Sequence, residues 1–443
     1  MSNDPINGIR RRDFLRYSAA AGLAGSLSAG LPGHAFAAET VHFTAWSAAV
    51  DLVKSHVAAF EKATGIDVNY SNHPWAQYRE TLITRFVGGA PLDMMWVSDS
   101  WLPEWADAGW IKPVDGFDSL MKYNGEASAF CTDSMTYKGR QYGLTYYTDF
   151  MGFMYDKEVL EKAGIGNPPE TWDEVTEQAL KIKKAGLSEY PVMLALAQET
   201  WLIEFLSAMV FSQGGRFTDD RGDAIMHHAK DGALPALQWL VDAVHKHKIV
   251  SPACVETGEL TGLKAFASGN HAFALEPKYR MRMMNDPKQS QIAGRVKQIL
   301  IPKGANGSHA TVGWMRFHGM SAAAAADKKR AANTAKLIEW FGGRAEGEYK
   351  FQKLLFTDIG AGFGVTPLFK DPEVRAAYNA YTDVKIIEQQ QSLARKKDVV
   401  TPWFGEWMEV SGAAWQSAIL QQTTPEEALK KAADKWNELK REA

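Results

Sequence analysis

The stretch of sequence that decides the fold is VHFTAWSAAVDLVKSHVAAFEKATGIDVNYSNHPWAQYRETLITRFVGGAPLDMMWV, residues 41–97. Residues 41–46 predict a strand, and the next apolar positions have the spacing of one helix face: Val50, Val53, Val57 and Phe60. A second strand (66–70) and a second helix follow, and residues 94–97 are apolar on both faces, as in a buried parallel strand. This alternating order predicts an open, mainly parallel α/β sheet.

The carboxyl ends of the first and third predicted strands are where such a sheet binds its ligands. Trp46-Ser47 follows the first strand, and Asp99-Ser100-Trp101 follows the third. We therefore expect both segments to contribute to a ligand site.

A long extended segment, Gly143–Tyr155, predicts a strand that crosses between two domains. Two domains are expected because the chain has 443 residues, whereas single hydrophobic cores stop growing near ~250–300 residues. Two capping boxes predict further helices. Thr171 is followed by Glu174, and Thr424 by Glu427 at the start of the C-terminal helix.

The N-terminus has the order of parts found in an export signal: a basic run, an Ala- and Gly-rich apolar stretch, a breaker and a small-x-small cleavage site, Ala35-Phe36-Ala37. Arg11-Arg12 in the basic run resembles the twin-arginine motif. We expect residues 1–37 to be removed near Ala37 and the mature protein to lie in the periplasm. A basic arm leading into a short amphipathic helix is the alternative.

The composition excludes several classes of protein. A formal net charge of −3 argues against nucleic acid as a partner, because nucleic-acid-binding proteins favour a basic face. After Ala37 no apolar run approaches the ~18 residues of a membrane span. Gly360–Gly364 lacks the Lys-Ser/Thr of a phosphate loop and predicts a turn. Cys131 and Cys254 are compatible with one disulfide or with two buried thiols. No motif predicts a catalytic residue, a metal or a cofactor.

Aromatic residues are numerous, with 15 Trp, 14 Tyr and 21 Phe. Trp172 and Trp436 lie on predicted helix stripes and are expected in the core. Other rings lie at predicted strand ends or in loops near polar residues: Trp46, Trp101, Tyr146, Tyr147, Trp201 and Trp314. Such rings suit a sugar, whose C–H faces stack on aromatic side chains and whose hydroxyls need fixed donors and acceptors.

Several short motifs carry a family resemblance when they are taken in order. They are Phe60-Glu61-x-x-Thr64-Gly65-Ile66-x-Val68, Gly89-Ala90-Pro91-Leu92-Asp93, Tyr142-Gly143-Leu144, Met154-Tyr155-Asp156-Lys157, Pro168-Pro169-x-Thr171-Trp172-Asp173-Glu174 and Phe266-x-x-Gly269. Over nearly all of the mature chain, the sequence resembles the family 1 extracellular solute-binding proteins, the sugar-binding components of ABC importers. The resemblance implies a monomer that is not an enzyme, binds a carbohydrate and delivers it to a membrane permease. A periplasmic cofactor enzyme, an oxidoreductase exported by the twin-arginine route, is the second hypothesis.

The resemblance also implies a two-lobe periplasmic-binding-protein fold of the class II type, with hinge crossings and a C-terminal helical segment. The expected N-terminal lobe comprises residues 38–148 and 315–366. The expected C-terminal lobe comprises residues 149–314 and 367–443. The ligand would lie between the two lobes.

Individual site residues follow from the same resemblance. Trp201 matches the position of an aromatic residue that stacks on the sugar, and Tyr279 replaces the Trp of a second stacking element. Asp149 falls where the family often places a hydroxyl-binding carboxylate. Arg280 and Arg316 are unusual for the family and leave an anionic sugar derivative possible. The full predicted set of ligand-binding residues is Trp46, Ser47, Tyr78, Asp99, Ser100, Trp101, Tyr147, Asp149, Trp201, Glu276, Tyr279, Arg280, Trp314, Arg316 and Trp403.

Overall fold

The structure of the protein is a computed structural model that describes residues 40–199 and 201–443. The predicted export signal, residues 1–37, lies outside the described residues. In the described part of the chain, no helix has the combination of length and apolar character that a membrane crossing requires.

The N-terminal part of the chain alternates strand and helix, as the sequence predicts. The elements are β1 (Val41–Trp46), α1 (Val50–Thr64), β2 (Val68–His73), α2 (Trp75–Gly88) and β3 (Met94–Ser98). Gly65 ends α1 in the left-handed conformation, with φ of 68°, and its N–H donates to the Glu61 carbonyl. Strand β3 is buried throughout, and β1 pairs in parallel with both β2 and β3.

Short elements connect β3 to the predicted crossing strand. They are α3 (Leu102–Asp107), β4 (Ile111–Lys112), α4 (Asp118–Met121), α5 (Ala129–Ser134), β5 (Thr136–Tyr137) and β6 (Arg140–Gln141). The crossing strand itself, β7 (Gly143–Asp156), is a continuous strand of 14 residues.

A second long strand, β11 (Thr311–Ser321), lies beside β7. Between the two strands the chain forms α6 (Lys157–Lys162), α7 (Trp172–Lys184), β8 (Val192–Met193), α8 (Leu202–Ser212), α9 (Leu234–Val241), α10 (Glu259–Ala267), β9 (Phe273–Pro277), α11 (Met281–Met284) and β10 (Val296–Ile299). After β11 it forms α12 (Ala322–Ala325), α13 (Lys328–Gly342), α14 (Lys350–Ile359), α15 (Pro372–Asn379), α16 (Val384–Ser392), β12 (Ala394–Arg395), α17 (Phe404–Ile419) and α18 (Pro425–Glu442).

The main sheet has the strand order β2-β1-β3-β11-β7-β9-β8. One half contains β2, β1, β3 and β11, the other contains β9 and β8, and β7 belongs to both. The first half of β7 pairs with β11, and the second half, Met151–Tyr155, pairs with β9. Asp149 and Trp314 are register partners at the middle of the two strands. Strand β7 therefore changes partners between Phe150 and Met151.

A third segment, Gly360–Gly364, packs against β7 at Thr148, close to the point at which β7 changes partners. The Thr148 N–H donates to the Gly362 carbonyl at 3.4 Å. A Cβ atom at Gly362 would lie 2.0 Å from the Thr148 carbonyl oxygen, so only glycine permits this approach of two backbones. The glycines here allow close packing of a turn, as the absence of a phosphate-loop pattern predicts.

Helix ends and helix stripes agree with the sequence. Both capping boxes are present, since the Thr171 hydroxyl accepts from the Glu174 N–H and the Thr424 hydroxyl accepts from the Glu427 N–H. The predicted core rings Trp172 and Trp436 are buried. The stripe of α18 is buried as well, at Leu429, Ala432, Trp436 and Leu439.

Both cysteines are buried free thiols, which decides between the two alternatives left open by the sequence. Burial raises the pKa of Cys131 to about 11 and that of Cys254 to about 12. The thiols therefore stay protonated at neutral pH.

Candidate functional site

A cavity of about 490 Å³ lies at the carboxyl end of β1 and beside the crossing point of β7 and β11. Eight of the predicted ligand-binding residues line it: Trp46, Ser47, Tyr147, Trp201, Tyr279, Arg280, Trp314 and Arg316. They come from both halves of the sheet, because Trp46 ends β1 whereas Tyr279 and Arg280 follow β9. A ligand in this cavity would contact both halves at once.

One wall of the cavity is built from rings that follow β1 and β2. Trp46 contacts Trp75 edge to face, with ring centroids 4.5 Å apart, and lies 6.4 Å from the Tyr147 ring. Trp75 is the first residue of α2 and is 44% exposed. Trp101 stacks on Trp75 with ring centroids 5.0 Å apart, so this predicted site residue supports the wall without lining the cavity.

Trp201 and Trp314 also line the cavity. Their rings meet edge to face with centroids 5.1 Å apart. Trp314 is buried in β11 and its indole N–H donates to the Tyr147 hydroxyl at 3.2 Å, which holds both rings in place. Trp201 is only partly buried and directly precedes α8, so its ring does not belong to the helix interior.

Arg280 lines the cavity and is held by two carboxylates. Its guanidinium forms an ion pair with Glu259 and lies 3.6 Å from a carboxylate oxygen of Glu276. It also donates to the Tyr279 hydroxyl at 3.3 Å. Glu276 is buried behind Arg280, and burial raises the pKa of this carboxyl group. The predicted residue Glu276 therefore orients Arg280 from outside the cavity lining.

Arg316 is fixed in a similar way from the other half of the sheet. Its guanidinium lies over the Trp75 ring, 5.1 Å from the ring centroid, and one Nη donates to Asp99 at 3.3 Å. The buried Asp99 carboxylate also accepts from the backbone N–H groups of Met315 and Ser100. Asp99 and Ser100 consequently lie behind Arg316 and do not line the cavity.

Tyr78 does not line the cavity, contrary to its predicted ligand role. It is fully buried, and its hydroxyl oxygen lies 3.0 and 2.8 Å from the carbonyl oxygens of Thr44 and Trp96, which share its single hydrogen. The hydroxyl also accepts from the Trp96 N–H at 3.0 Å. Tyr78 thus links α2 to β1 and β3 within the core.

Trp403 also lies away from the cavity. Its ring contacts Trp436 with centroids 4.4 Å apart, so it packs between the start of α17 and the C-terminal helix α18. Its polar and aromatic neighbourhood in the sequence resembles that of a site residue, but the fold directs the ring to a helix–helix contact.

Asp149 forms a buried ion pair at the middle of β7 and does not line the cavity. Its carboxylate lies 3.3 Å from the Lys278 ammonium, which in turn donates to the Tyr378 hydroxyl at 3.2 Å. Burial raises the pKa of Asp149 to about 6, although Lys278 opposes the shift. The structure therefore places Asp149 in a link between β7 and the segment after β9.

Tyr146, one of the rings that the sequence suggested for a sugar, also lines the cavity. The cavity includes further residues that the sequence analysis did not assign to it: Ala48, Trp75, Glu259, Leu260, Leu355, Ile359 and Ala361. Trp75 directly follows Pro74 and the end of β2, and this position is a signal for a helix N-terminus near the sheet edge. Glu259 and Ile359 lie at the ends of α10 and α14, and no local pattern indicated which helix ends reach the cavity.

Two α/β halves that share crossing strands, with a cavity between them, define a two-lobe solute-binding protein. The chain belongs to the bacterial extracellular solute-binding protein family, whose profile matches residues 45–348. Membership makes it a solute-binding protein and not an enzyme, as predicted, and removes the oxidoreductase hypothesis. The family also accounts for an extracellular or periplasmic location.

Individual relatives and structures are distant but cover most of the chain. A Brucella abortus protein, named only as a binding protein, is 24% identical over 85% of this chain and 87% of its own length. The sugar-binding protein MalE of Xanthomonas citri superposes with a TM-score of 0.76 at 19% identity, covering 91% and 98% of the two chains. Maltose-bound MalE3 of T. maritima gives a TM-score of 0.73 at 23% identity over 90% and 99%. These likenesses show that the predicted fold class is correct.

The Asp149–Lys278 ion pair leads to a prediction about stability. Asp149→Ala leaves the buried Lys278 ammonium without its carboxylate, which typically costs about 3–5 kcal/mol. Urea unfolding at pH 7 should show a loss of this size. The double variant Asp149→Leu/Lys278→Met removes both charges and should lose less than the single variant. Equal losses in the two variants would show that the pair does not couple these elements.

Proposed function

We propose that the protein binds a carbohydrate between its two lobes and delivers it, as a monomer, to the membrane permease of an ABC importer. The observation that carries the proposal is the cavity at the crossing strands, which combines four Trp rings with fixed polar groups. Aromatic faces cover the C–H surfaces of a sugar, and fixed donors and acceptors select its hydroxyls.

The relatives support this ligand class. The mannitol-binding protein of Pseudomonas aeruginosa is 20% identical over 59% of this chain. The structural neighbours described above are a sugar-binding protein and a maltose-bound protein. A sugar or polyol is thus the chemistry that recurs among proteins of this shape.

The charges around the cavity favour an uncharged ligand. Arg280 is matched by Glu259 and Glu276, and Arg316 by Asp99. Even with Glu276 protonated, each guanidinium keeps one carboxylate, so the site has no excess positive charge for an anion. The arginines instead act as oriented N–H donors to hydroxyl groups. This argues against the anionic sugar derivative that the sequence left open.

Closure of the lobes is the proposed mechanism. The N-terminal lobe would comprise residues 38–148 and 315–366, and the C-terminal lobe residues 149–314 and 367–443. Ligand stabilises the closed form because it contacts both lobes, and the permease then recognises that form. Hinge motion would be centred on the middle of β7 and β11, where the partners of β7 change.

A binding screen tests the proposed function. Purified protein is titrated with neutral sugars, polyols and matched sugar acids while Trp fluorescence and thermal unfolding are followed. A true ligand should shift the fluorescence, because Trp46, Trp75 and Trp201 line the cavity, and should raise the unfolding temperature, since it binds only the native state. A neutral sugar should bind more tightly than its uronic acid. A complete panel without any shift would refute the proposal.

Trp201 should contribute to binding far more than to folding. Trp201→Ala removes one stacking face and should weaken binding of the ligand found by the screen by about 1–3 kcal/mol, roughly 5- to 150-fold. The free protein should lose little stability, because the ring is only partly buried. Calorimetric titration and urea unfolding measure the two effects.

Trp403→Ala is the matched control for Trp201→Ala. Trp403 is also partly buried and in contact with another Trp, but it lies outside the cavity. The Trp403→Ala variant should keep its affinity, because this ring does not line the cavity, and should lose as little stability as Trp201→Ala, because the two rings are similarly buried. A Trp201 variant that loses stability and keeps its affinity would place that ring in the core instead.

We also propose that the chain is exported by the twin-arginine route and cleaved near Ala37. The support is the order of basic run, apolar stretch and cleavage site in residues 1–37. Changing Arg11 and Arg12 to Lys should leave unprocessed precursor in the cytoplasm, detected by immunoblotting of cell fractions. Normal processing of this variant would indicate the general secretory route.

A further inference from the structure

A separate cavity of about 300 Å³ lies between α14, α15, α16 and the segment that follows β9. We call it the α15 cavity. Its volume is at the lower end of the range that small-molecule sites occupy. Of the residues that the structure describes, Tyr279 alone lines both the α15 cavity and the candidate ligand cavity. The two spaces therefore have different walls, and the chemistry of those walls differs as well.

Much of the wall of the α15 cavity is aromatic. Tyr378 and Phe356 line it with ring centroids 4.6 Å apart, and Tyr381 lines it from the turn after α15. The apolar side chains of Met281 and Ile387 complete this surface. Rings around a space of this size favour an aromatic ring as the occupant, because aromatic groups pack in offset or edge-to-face contacts with one another.

The Lys278 side chain lines the α15 cavity from a buried position, since this residue is only 3% exposed. An ammonium group has three N–H donors. Two acceptors lie close to it, the Asp149 carboxylate at 3.3 Å and the Tyr378 hydroxyl at 3.2 Å. The third donor has no acceptor within the part of the chain that the structure describes, and a buried donor without an acceptor is costly. Because Asp149 already balances the charge, a neutral oxygen such as a hydroxyl suits this position.

Arg282 supplies a positive charge to the same cavity and is itself exposed, so it marks the open side. Its Nη1 donates to the carbonyls of Thr357 and Asp358, at 3.1 and 2.8 Å, which fixes the side chain at the end of α14. Its Nε and Nη2 have no hydrogen-bond or ion-pair partner among the described residues. Glu373, which also lines the cavity, is paired with Lys353 at 3.0 Å. Arg282 therefore has donors available for the carboxylate of a ligand.

We propose that the α15 cavity is a second binding site, which takes a small hydroxylated aromatic carboxylate. The ring of this ligand packs against Phe356 and Tyr378, its hydroxyl accepts from Lys278, and its carboxylate binds Arg282. The carbohydrate and the aromatic acid occupy different spaces. A failure of the aromatic acid to bind would therefore leave the carbohydrate proposal intact.

The first test is calorimetric titration of the purified protein with three aromatic acids: 4-hydroxybenzoate, 4-hydroxyphenylacetate and 4-hydroxycinnamate. Each acid is compared with its amide and with the same acid without the hydroxyl. The best acid should bind at least about 10-fold more tightly than its amide, because hydrogen bonds between charged groups are stronger than neutral ones. It should also bind more tightly than the acid without a hydroxyl, which leaves the Lys278 donor without an acceptor. If none of the three acids binds, or if the amide binds as tightly as the acid, the proposal is wrong.

A matched pair of variants on α15 locates the bound acid. Ala377 lines the α15 cavity, whereas the neighbouring Ala376 is exposed and does not. Ala377→Phe fills part of the space and should weaken binding of the acid at least about 10-fold, and Ala376→Phe should leave it unchanged. Trp201→Ala should also leave it unchanged. Loss of acid binding in Trp201→Ala with full binding in Ala377→Phe would place the acid in the carbohydrate cavity and overturn the proposal.

Arg282→Gln keeps the test decisive if Ala377→Phe fails to fold, which urea unfolding would reveal. The variant removes the charge at an exposed position. It should reduce the preference for the acid over its amide to less than about 3-fold, because the charged partner of the carboxylate is lost. An unchanged preference would show that Arg282 does not bind the carboxylate and would contradict the proposed site.

Discussion

The pairing of β7 with different partners along its length is the interaction on which the structure depends. Its first half completes the sheet of β1, β2 and β3 through β11, and its second half pairs with β9 and β10. A backbone that hydrogen-bonds to both halves cannot shift in register without disrupting both sheets. Nearly every side chain of β7 is buried, so each half of the core depends on it.

The paired strands β7 and β11 set the geometry of the cavity. Tyr147 and Trp314 lie on β7 and β11 and are joined by a hydrogen bond, and Arg316 follows two residues later on the same strand as Trp314. Side chains fixed on strands lose little further freedom when a ligand binds, which reduces the entropic cost of binding. Residues from beyond the strands, such as Trp75 and Trp201, complete the walls.

Carboxyl groups beside and behind the cavity hold the two arginines. Asp99 and Glu259 neutralise the guanidinium groups and fix their orientation, and Glu276 packs behind Arg280. Without these partners the guanidinium groups would attract anions, whereas with them they are directed donors. The sequence analysis grouped Asp99 and Glu276 with the ligand-binding residues, because proximity in sequence cannot separate a residue that lines a cavity from one that orients the lining.

The sequence by itself determined the strands, the helices, their caps and the crossing strand, because periodicity, capping boxes and left-handed glycines act over a few residues. It also predicted that Trp46 and Ser47 contribute to the ligand site, because open parallel sheets bind their ligands at the carboxyl ends of their strands. Only the tertiary structure decided that Tyr78 packs in the core, that Trp403 packs against α18, and that Asp149 pairs with Lys278. It also decided that Trp75 and Ile359 reach the cavity. The physical reason is that these positions depend on contacts between segments far apart in the chain, and the direction of a single side chain is settled by what packs around it.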